Sequence, residues 1–351
     1  MQASSLAAEW IFACTFDRES LVVKPEEMEP TMARFRKALP QLGSELFLTD
    51  GGIETTLLFL EGLELPDFAA FHLLKRPEGE AALRKYFRTY ATLAARFGTG
   101  LILESATWRA SADWGTRLGY TEEALANANR QAIRLLEEIR DERRAGSKEV
   151  VISGCVGPRG DGYVPAHVMS EDEAQTYHRR QIDTFATTAA DMVTAITMNY
   201  VEEAVGIARA ARAAGMPVAL AFTVETDGRL PSGHSLRQAI ERVDGATAGY
   251  PSYYMVNCAH PTHFDGVLAA TEPWTQRIRG LRTNASRKSH AELNDSTELD
   301  IGDPDELGEQ HAALKRRLPQ LVVMGGCCGT DDRHVERIAA ACSPLFPKPS
   351  A

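Results

Sequence analysis

Short apolar runs alternate with longer amphipathic stretches from Leu46 to the neighbourhood of Ala341. The short runs are Leu46–Thr49, Leu101–Glu104, Val150–Ser153, Met192–Ile196, Val218–Phe222, Tyr254–Asn257, Ile278–Arg282 and Val322–Met324, each followed by a polar or glycine-bearing loop. Between them, Glu78–Phe97, Glu122–Arg144, Glu171–Ala190, Val201–Ala214, Leu236–Ala248, Glu306–Arg317 and Asp332–Ala341 space apolar residues by three and four, the period of a helix with one buried face. Strands alternating with helices define βα units around a parallel sheet. Eight such units predict an α/β fold closed as a (β/α)8 TIM barrel, and no Gly-x-Gly-x-x-Gly follows the first run to suggest a dinucleotide site.

The pattern divides the chain into an N-terminal extension at 1–44, broken by Pro25, Pro30 and Pro40, a barrel at 45–345 and a short tail at 346–351. One connection is unusually long, from Asn284 to about Pro304, and reads equally as a functional cover or a solvated insertion. The extension and this loop are reasonable places for a contact in a homo-oligomer. With 38 Lys+Arg against 48 Asp+Glu the formal charge is −10, which provides no electrostatic footprint for nucleic acid or an anionic membrane. No apolar run is long enough to cross a bilayer, and Met1–Val23 lacks a basic leader, so the expected location is cytoplasmic and the expected partners are small molecules.

Six cysteines are too few for a disulfide scaffold in a chain of 351 residues. Cys14, Cys155 and Cys342 are scattered, whereas Cys327 and Cys328 are adjacent inside Gly325-Gly326-Cys327-Cys328-Gly329, and Cys258 follows Asn257 at the end of the sixth run. Neighbouring side chains on a strand point to opposite faces, so two adjacent thiolates can grip one metal only where the chain turns sharply, which flanking glycines permit. In a barrel of this kind the chemistry sits at the carboxyl ends of the strands, where Asp50, Cys258, Cys327 and Cys328 all fall. Three sulfur ligands favour Zn2+ and leave one tetrahedral position open, as a catalytic rather than a structural site requires. The competing expectations are three buried apolar thiols, or a redox sensor that cycles Cys327 and Cys328 between dithiol and disulfide.

On these residues the chain resembles the homocysteine S-methyltransferase family, which includes betaine- and S-methylmethionine-dependent enzymes. The resemblance rests on Asp50-Gly51-Gly52, Thr107-Trp108, Gly157-Pro158, Phe222-Thr223 with Gly228 and Ser232-Gly233, Asn257-Cys258 with Pro261, and Gly325 to Gly329. It implies a zinc-dependent methyltransferase in which Cys258, Cys327 and Cys328 hold the metal and a small thiol, homocysteine first among them, takes a methyl group from a small donor to give methionine. Asp50 would receive the substrate amino group, or else order the Gly51-Gly52 turn. Asn257 would steady the Cys258 strand end, and Thr107 and Trp108 would line the substrate site. His260 would orient its loop. His263, His167, His290 and His311 receive no role, and Cys155 is expected to pack.

The resemblance also has departures. The family's Glu-Thr pair after the fourth strand is replaced by Ile196-Thr197, removing the carboxylate that a substrate ammonium needs; Glu104 or Glu225 would have to replace it. The family's Tyr-Pro-Asn segment is replaced by Leu281 to His290, bringing in Arg282, Arg287 and Lys288 as partners for an anionic group or as solvated charges. Trp108 and Trp114 suggest a cation–π cage for a sulfonium or quaternary ammonium donor, and so a demethylase variant of the same chemistry.

Overall fold

The apolar runs are buried on both faces, and each pairs with a neighbour along both edges, so the sheet has no free edge. The computed structural model describes residues 32–142, 148–165, 168–268 and 272–347. Its strands are β1 Phe47–Leu48, β2 Gly100–Glu104, β3 Val150–Val156, β4 Met192–Met198, β5 Val218–Phe222, β6 Tyr253–Asn257, β7 Ile278–Thr283 and β8 Val323–Gly326. All pair in parallel with their sequence neighbours, and β1 closes on β8 through Phe47↔Val323 and Leu48↔Met324, giving a closed eight-stranded barrel. The expected fold class is therefore the observed one.

The connecting helices are α1 Pro77–Phe97, α2 Ala112–Arg117, α3 Glu122–Asp141, α4 Glu171–Ala186, α5 Val201–Ala213, α6 Leu236–Thr247, α7 Pro261–Phe264, α8 His290–Asn294, α9 Pro304–Arg317 and α10 Asp332–Cys342. Their starts are written locally: Ser170 and Ser235 cap α4 and α6 with reciprocal bonds to Glu173 and Gln238, satisfying amide groups that a helix end leaves unpaired. α3 ends at Asp141, short of the expected Arg144, which lies outside the described residues.

Alternation along the strands sorts the inward side chains into an apolar floor and a polar mouth. Phe47, Ile102, Val151, Met192, Ala219, Ala221, Tyr253, Met255 and Val323 form a cluster separate from the strand–helix core, with Ile196 packed against it. Two residues beyond Ile102 and Met255 stand Glu104 and Asn257, so the period of two that builds the apolar layer also delivers polar groups to the carboxyl end, where Arg282 of β7 joins them. Any of these is buried at high cost unless it finds a partner.

The amino-terminal end of the barrel is closed by residues 32–44. Asp191, fully buried just before β4, accepts the backbone N–H groups of Arg34 at 2.6 Å and Phe35 at 2.8 Å, together with the Ile152 N–H at 2.9 Å and the Arg140 guanidinium at 3.3 Å. Arg36 donates to the carbonyls of Ala186, Thr188 and Ala190 at 2.7–3.3 Å, so this part of the expected extension is strapped across the strand ends. Residues 1–31 and 348–351, with most of the expected arm and tail, lie outside the described residues. No helix among the described residues is long and apolar enough to cross a membrane.

Candidate metal centre

β6 and β8 lie on either side of β7, so their carboxyl ends are near neighbours at the mouth, and the cysteines meet there. The sulfur atoms of Cys258, Cys327 and Cys328 all fall within 4.8 Å of one another. Cys258 would face the outer helices if β6 continued past Asn257; its left-handed backbone, φ 51°, breaks the alternation at that point. Non-glycine residues adopt this conformation rarely. Thr197, just inside the end of β4, is held the same way at φ 63°, an unusual state for a β-branched residue, and its hydroxyl is 3.7 Å from the Cys258 sulfur.

The glycines around the cysteine pair do two different jobs, which corrects the expectation that all of them serve the turn. Gly325 and Gly326 are the last residues of β8, where a Cβ would fall onto Thr49 Oγ1 and Thr330 Oγ1 respectively. They are demanded by space. Gly329, at φ 78°, carries the backbone reversal that lets Cys327 and Cys328 serve one site. The turn is pinned to the loop after β1: Gly329 N donates to Thr55 Oγ1 at 3.0 Å, and Gly52 N donates to Thr330 O at 3.0 Å.

Cys258 and Cys327 are joined in a disulfide, with Cα atoms 5.4 Å apart, and Cys328 lies with its sulfur 3.9 Å from that of Cys258. The competing alternative of a Cys327–Cys328 disulfide is not the pairing formed: the bond crosses between strand ends instead of joining neighbours. Zinc–sulfur bonds of about 2.3 Å place tetrahedral sulfurs about 3.8 Å apart, so the Cys258–Cys328 separation fits a shared ion once the disulfide is reduced. Each sulfur also has its own polar neighbour. The Tyr163 hydroxyl lies 3.5 Å from Cys328 Sγ, Thr197 Oγ1 lies 3.7 Å from Cys258 Sγ, and Asn257 Nδ2 lies 3.9 Å from Cys327 Sγ. Such outer partners orient thiolate ligands and spread their charge. Asn257 is itself fixed, accepting the Thr197 N–H at 2.9 Å and donating to the Thr197 hydroxyl at 3.1 Å.

Beneath the sulfurs lies a buried ionic cluster. Asp50, at the end of β1, is hydrogen-bonded by the guanidinium of Arg282 and by the Tyr86 hydroxyl at 3.0 Å, so the carboxylate expected to meet a substrate ammonium already holds an internal cation. Burial pushes the Asp50 carboxyl above the usual range in spite of Arg282. Arg282 also donates Nε to Gly326 O at 3.3 Å, and its Nη1 stands 4.0 Å from Glu104 without a hydrogen bond. Glu104 is pushed up to about 7 by burial, with Arg282 opposing. Of the basic residues noted after β7, Arg282 thus serves the chain's own carboxylates, Arg287 pairs with Glu306, and Lys288 is exposed.

The remaining expected substrate residues are partly occupied too. Thr107 donates to Cys155 O at 2.7 Å, and Cys155 is buried inside the barrel, as its packing role required. Trp108 and Trp114 do form an aromatic slot, but Arg109 fills it, with its guanidinium carbon 4.1 Å and 3.7 Å from the two ring centroids. The expected cage for a cationic donor is closed by the chain itself. Glu225 is paired with His290 at 3.0 Å.

His290 is the residue the sequence reading passed over. It opens α8 within the 284–304 connection, places Nε2 2.7 Å from the Cys258 carbonyl, and stacks on Tyr163 with ring centroids 4.0 Å apart. The long loop is thus a cover laid against the backbone of the cysteine segments, held also by the bond from Ala285 N to Cys328 O at 3.1 Å and by His263 Nε2 against Arg287 O at 2.8 Å, and it leaves Cys328 exposed. A signal for it existed: Ser289 with Glu292 three positions later is a capping box inside an apparent loop. His260 caps α7, consistent with an orienting role; His311 is buried on α9, and His167 lies outside the described residues. Tyr163 carried no motif by which sequence alone could find it, and Thr197 was named only as the retained half of the family's Glu-Thr pair.

The class is that of an α/β barrel with three cysteine sulfurs gathered at the carboxyl ends of its strands. The profile of the family described as homocysteine S-methyltransferase matches residues 47–342, and the chain belongs to that family. It is a methyltransferase by that membership. Among solved structures, the Escherichia coli homocysteine methyltransferase MmuM in its oxidized form is similar with a TM-score of 0.68 and 19% identity over 88% of this chain and 99% of that one. Its metallated form is similar at 0.65 and 20%, over 87% and 98%. No curated protein sequence matches the chain significantly.

Proposed function

We propose that this chain is a zinc-dependent S-methyltransferase that moves a methyl group from a small methylated donor to a thiol, with homocysteine the leading acceptor and methionine the product. The observation that carries the reading is the convergence of Cys258, Cys327 and Cys328 within 4.8 Å at the barrel mouth. These three would hold zinc, which when bound would supply Lewis acidity that keeps a substrate thiol deprotonated at neutral pH. A relative of the same fold is known in both an oxidized and a metallated form, which parallels a site whose cysteines can alternatively pair with each other.

The chain's own residues supply the rest. Asn257, Thr197 and Tyr163 stand beside one sulfur each and temper the charge that three thiolates would concentrate. His290, bonded to the Cys258 carbonyl and stacked on Tyr163, makes a fixed wall on one side of the sulfurs, against which an acceptor can be oriented. The acceptor sulfur then forms a bond to the methyl carbon as the donor heteroatom leaves in line with its electron pair, neutral if the donor was an onium compound. No bond to a protein atom forms, so orientation is the protein's main contribution. The test is a mass-spectrometric screen of methyl donors against a thiol panel with reduced, zinc-loaded protein. Methylated thiol from at least one pair supports the reading; no transfer from any pair, with zinc bound, rejects it.

A further inference from the structure

The mouth contains several carboxylates, and nearly all are already engaged. Asp50 is held by Arg282 and Tyr86, Glu225 by His290, and Glu104 lies buried within ion-pair range of Arg282. Asp161 accepts the backbone N–H groups of Tyr163 and Val164, and Asp300 accepts from Ser286 and Gly302. Ile196, where a carboxylate was looked for, packs against the apolar floor of the barrel. Glu54 differs: among the described residues its carboxyl has no hydrogen-bond or ion-pair partner from another residue, only its own backbone N–H, and it is partly exposed.

Its place is fixed by the chain on either side. Glu54 precedes the π-helical turn Thr55–Leu60, and Thr55 is the residue whose hydroxyl receives the N–H of Gly329. Gly52, two residues earlier, is bonded to Thr330 and lies so close to the carbonyl of Cys327 that a Cβ would be 2.6 Å from it. The carboxyl is therefore carried on the wall that abuts the cysteine turn.

We propose that Glu54 receives the α-ammonium group of the acceptor thiol, taking the part that Ile196 cannot play. This rests on the thiol-acceptor reading of the site and adds to it which residue makes the acceptor an amino acid. The local charges agree with it. The aromatic slot that could have taken a cation is filled by Arg109, and three thiolates gathered at the mouth in the reduced protein would disfavour an added anion. Burial pushes the Glu54 carboxyl up to about 7, with Asp50 adding to the rise and Arg109 and Arg282 opposing it. An ammonium set beside this group restores the carboxylate and makes a charge-assisted hydrogen bond.

The test is calorimetric binding of homocysteine and of 4-mercaptobutyrate, its analogue without the amino group, to the reduced, zinc-loaded full chain and to Glu54→Gln. Wild type binds homocysteine the tighter of the two. Glu54→Gln weakens homocysteine by about 10- to 100-fold and leaves 4-mercaptobutyrate within about twofold. Zinc content and thermal melting check that the variant is folded. Equal affinity of wild type for the two thiols overturns the proposal without need of the variant, as does an equal loss for both thiols or no loss for homocysteine in Glu54→Gln. Failure of wild type to bind either thiol removes the acceptor reading and this assignment with it.

Discussion

Replacing Arg282 by Met tests the ionic cluster beneath the sulfurs, because it removes one charge of a pair and leaves the other in place. Asp50 and Arg282 each have side chains only 5% exposed, and the guanidinium is hydrogen-bonded to the carboxylate and to Gly326 O. Removing one partner of a buried pair costs about 3–5 kcal/mol, because the remaining charge has neither water nor counter-ion. Asp50 is raised by burial even with Arg282 present, so without it the carboxyl takes up a proton and keeps only the Tyr86 hydroxyl as partner. At roughly 2 °C per kcal/mol for a chain of this size, Arg282→Met should melt about 6–10 °C below wild type at pH 8. The deficit should shrink as pH falls towards 5, since a protonated Asp50 needs no counter-charge. Adding Asp50→Asn should restore most of the loss. Thermal melts of the three variants at both pH values decide the matter. A single variant within 2 °C of wild type, or a double variant no better than the single, would refute the reasoning.

Two further outcomes follow from the same geometry. His290→Ala removes the bond to the Cys258 carbonyl, the pairing with Glu225 and the stack on Tyr163, at a cost of about 1–3 kcal/mol; amide exchange in residues 286–302 should accelerate while the strands stay protected, and unchanged exchange would show that the histidine does not hold the cover. Glu104, raised to about 7, binds its proton more tightly folded than unfolded, so its contribution is present below about pH 4.5 and is lost as pH rises through 7, by up to about 3 kcal/mol. The stability difference between wild type and Glu104→Gln should therefore move against wild type over that interval, and a pH-independent difference would contradict the shift.

The barrel was legible because its evidence is periodic and repeated: each βα unit carries its own apolar run and its own helical spacing, and eight agreeing units leave little freedom. The cysteine trio was legible for another reason, since soft ligands at strand ends beside glycines are uncommon in combination. What could not be read was pairing at the mouth. Arg282 looked like a loop cation because its sequence neighbours are basic, yet strand alternation sends it inward onto Asp50. The tryptophans suggested an open cage, and only coordinates show Arg109 lying between them. Thr197 and Cys258 reach each other through left-handed backbone that no composition signals. The glycines before Cys327 were rightly noticed for the wrong reason: side-chain crowding by Thr49 and Thr330 excludes a Cβ, whereas only Gly329 needs positive φ.

The central claim is that three sulfurs from two strand ends bind one metal ion, and elemental analysis of reduced protein refolded or dialysed with zinc tests it most directly. The account predicts one zinc per chain, lost on Cys258→Ser, Cys327→Ser or Cys328→Ser and displaced in wild type when oxidation joins Cys258 to Cys327. Zinc retained at full stoichiometry by any of the three serine variants, or absent from reduced wild type, would contradict it.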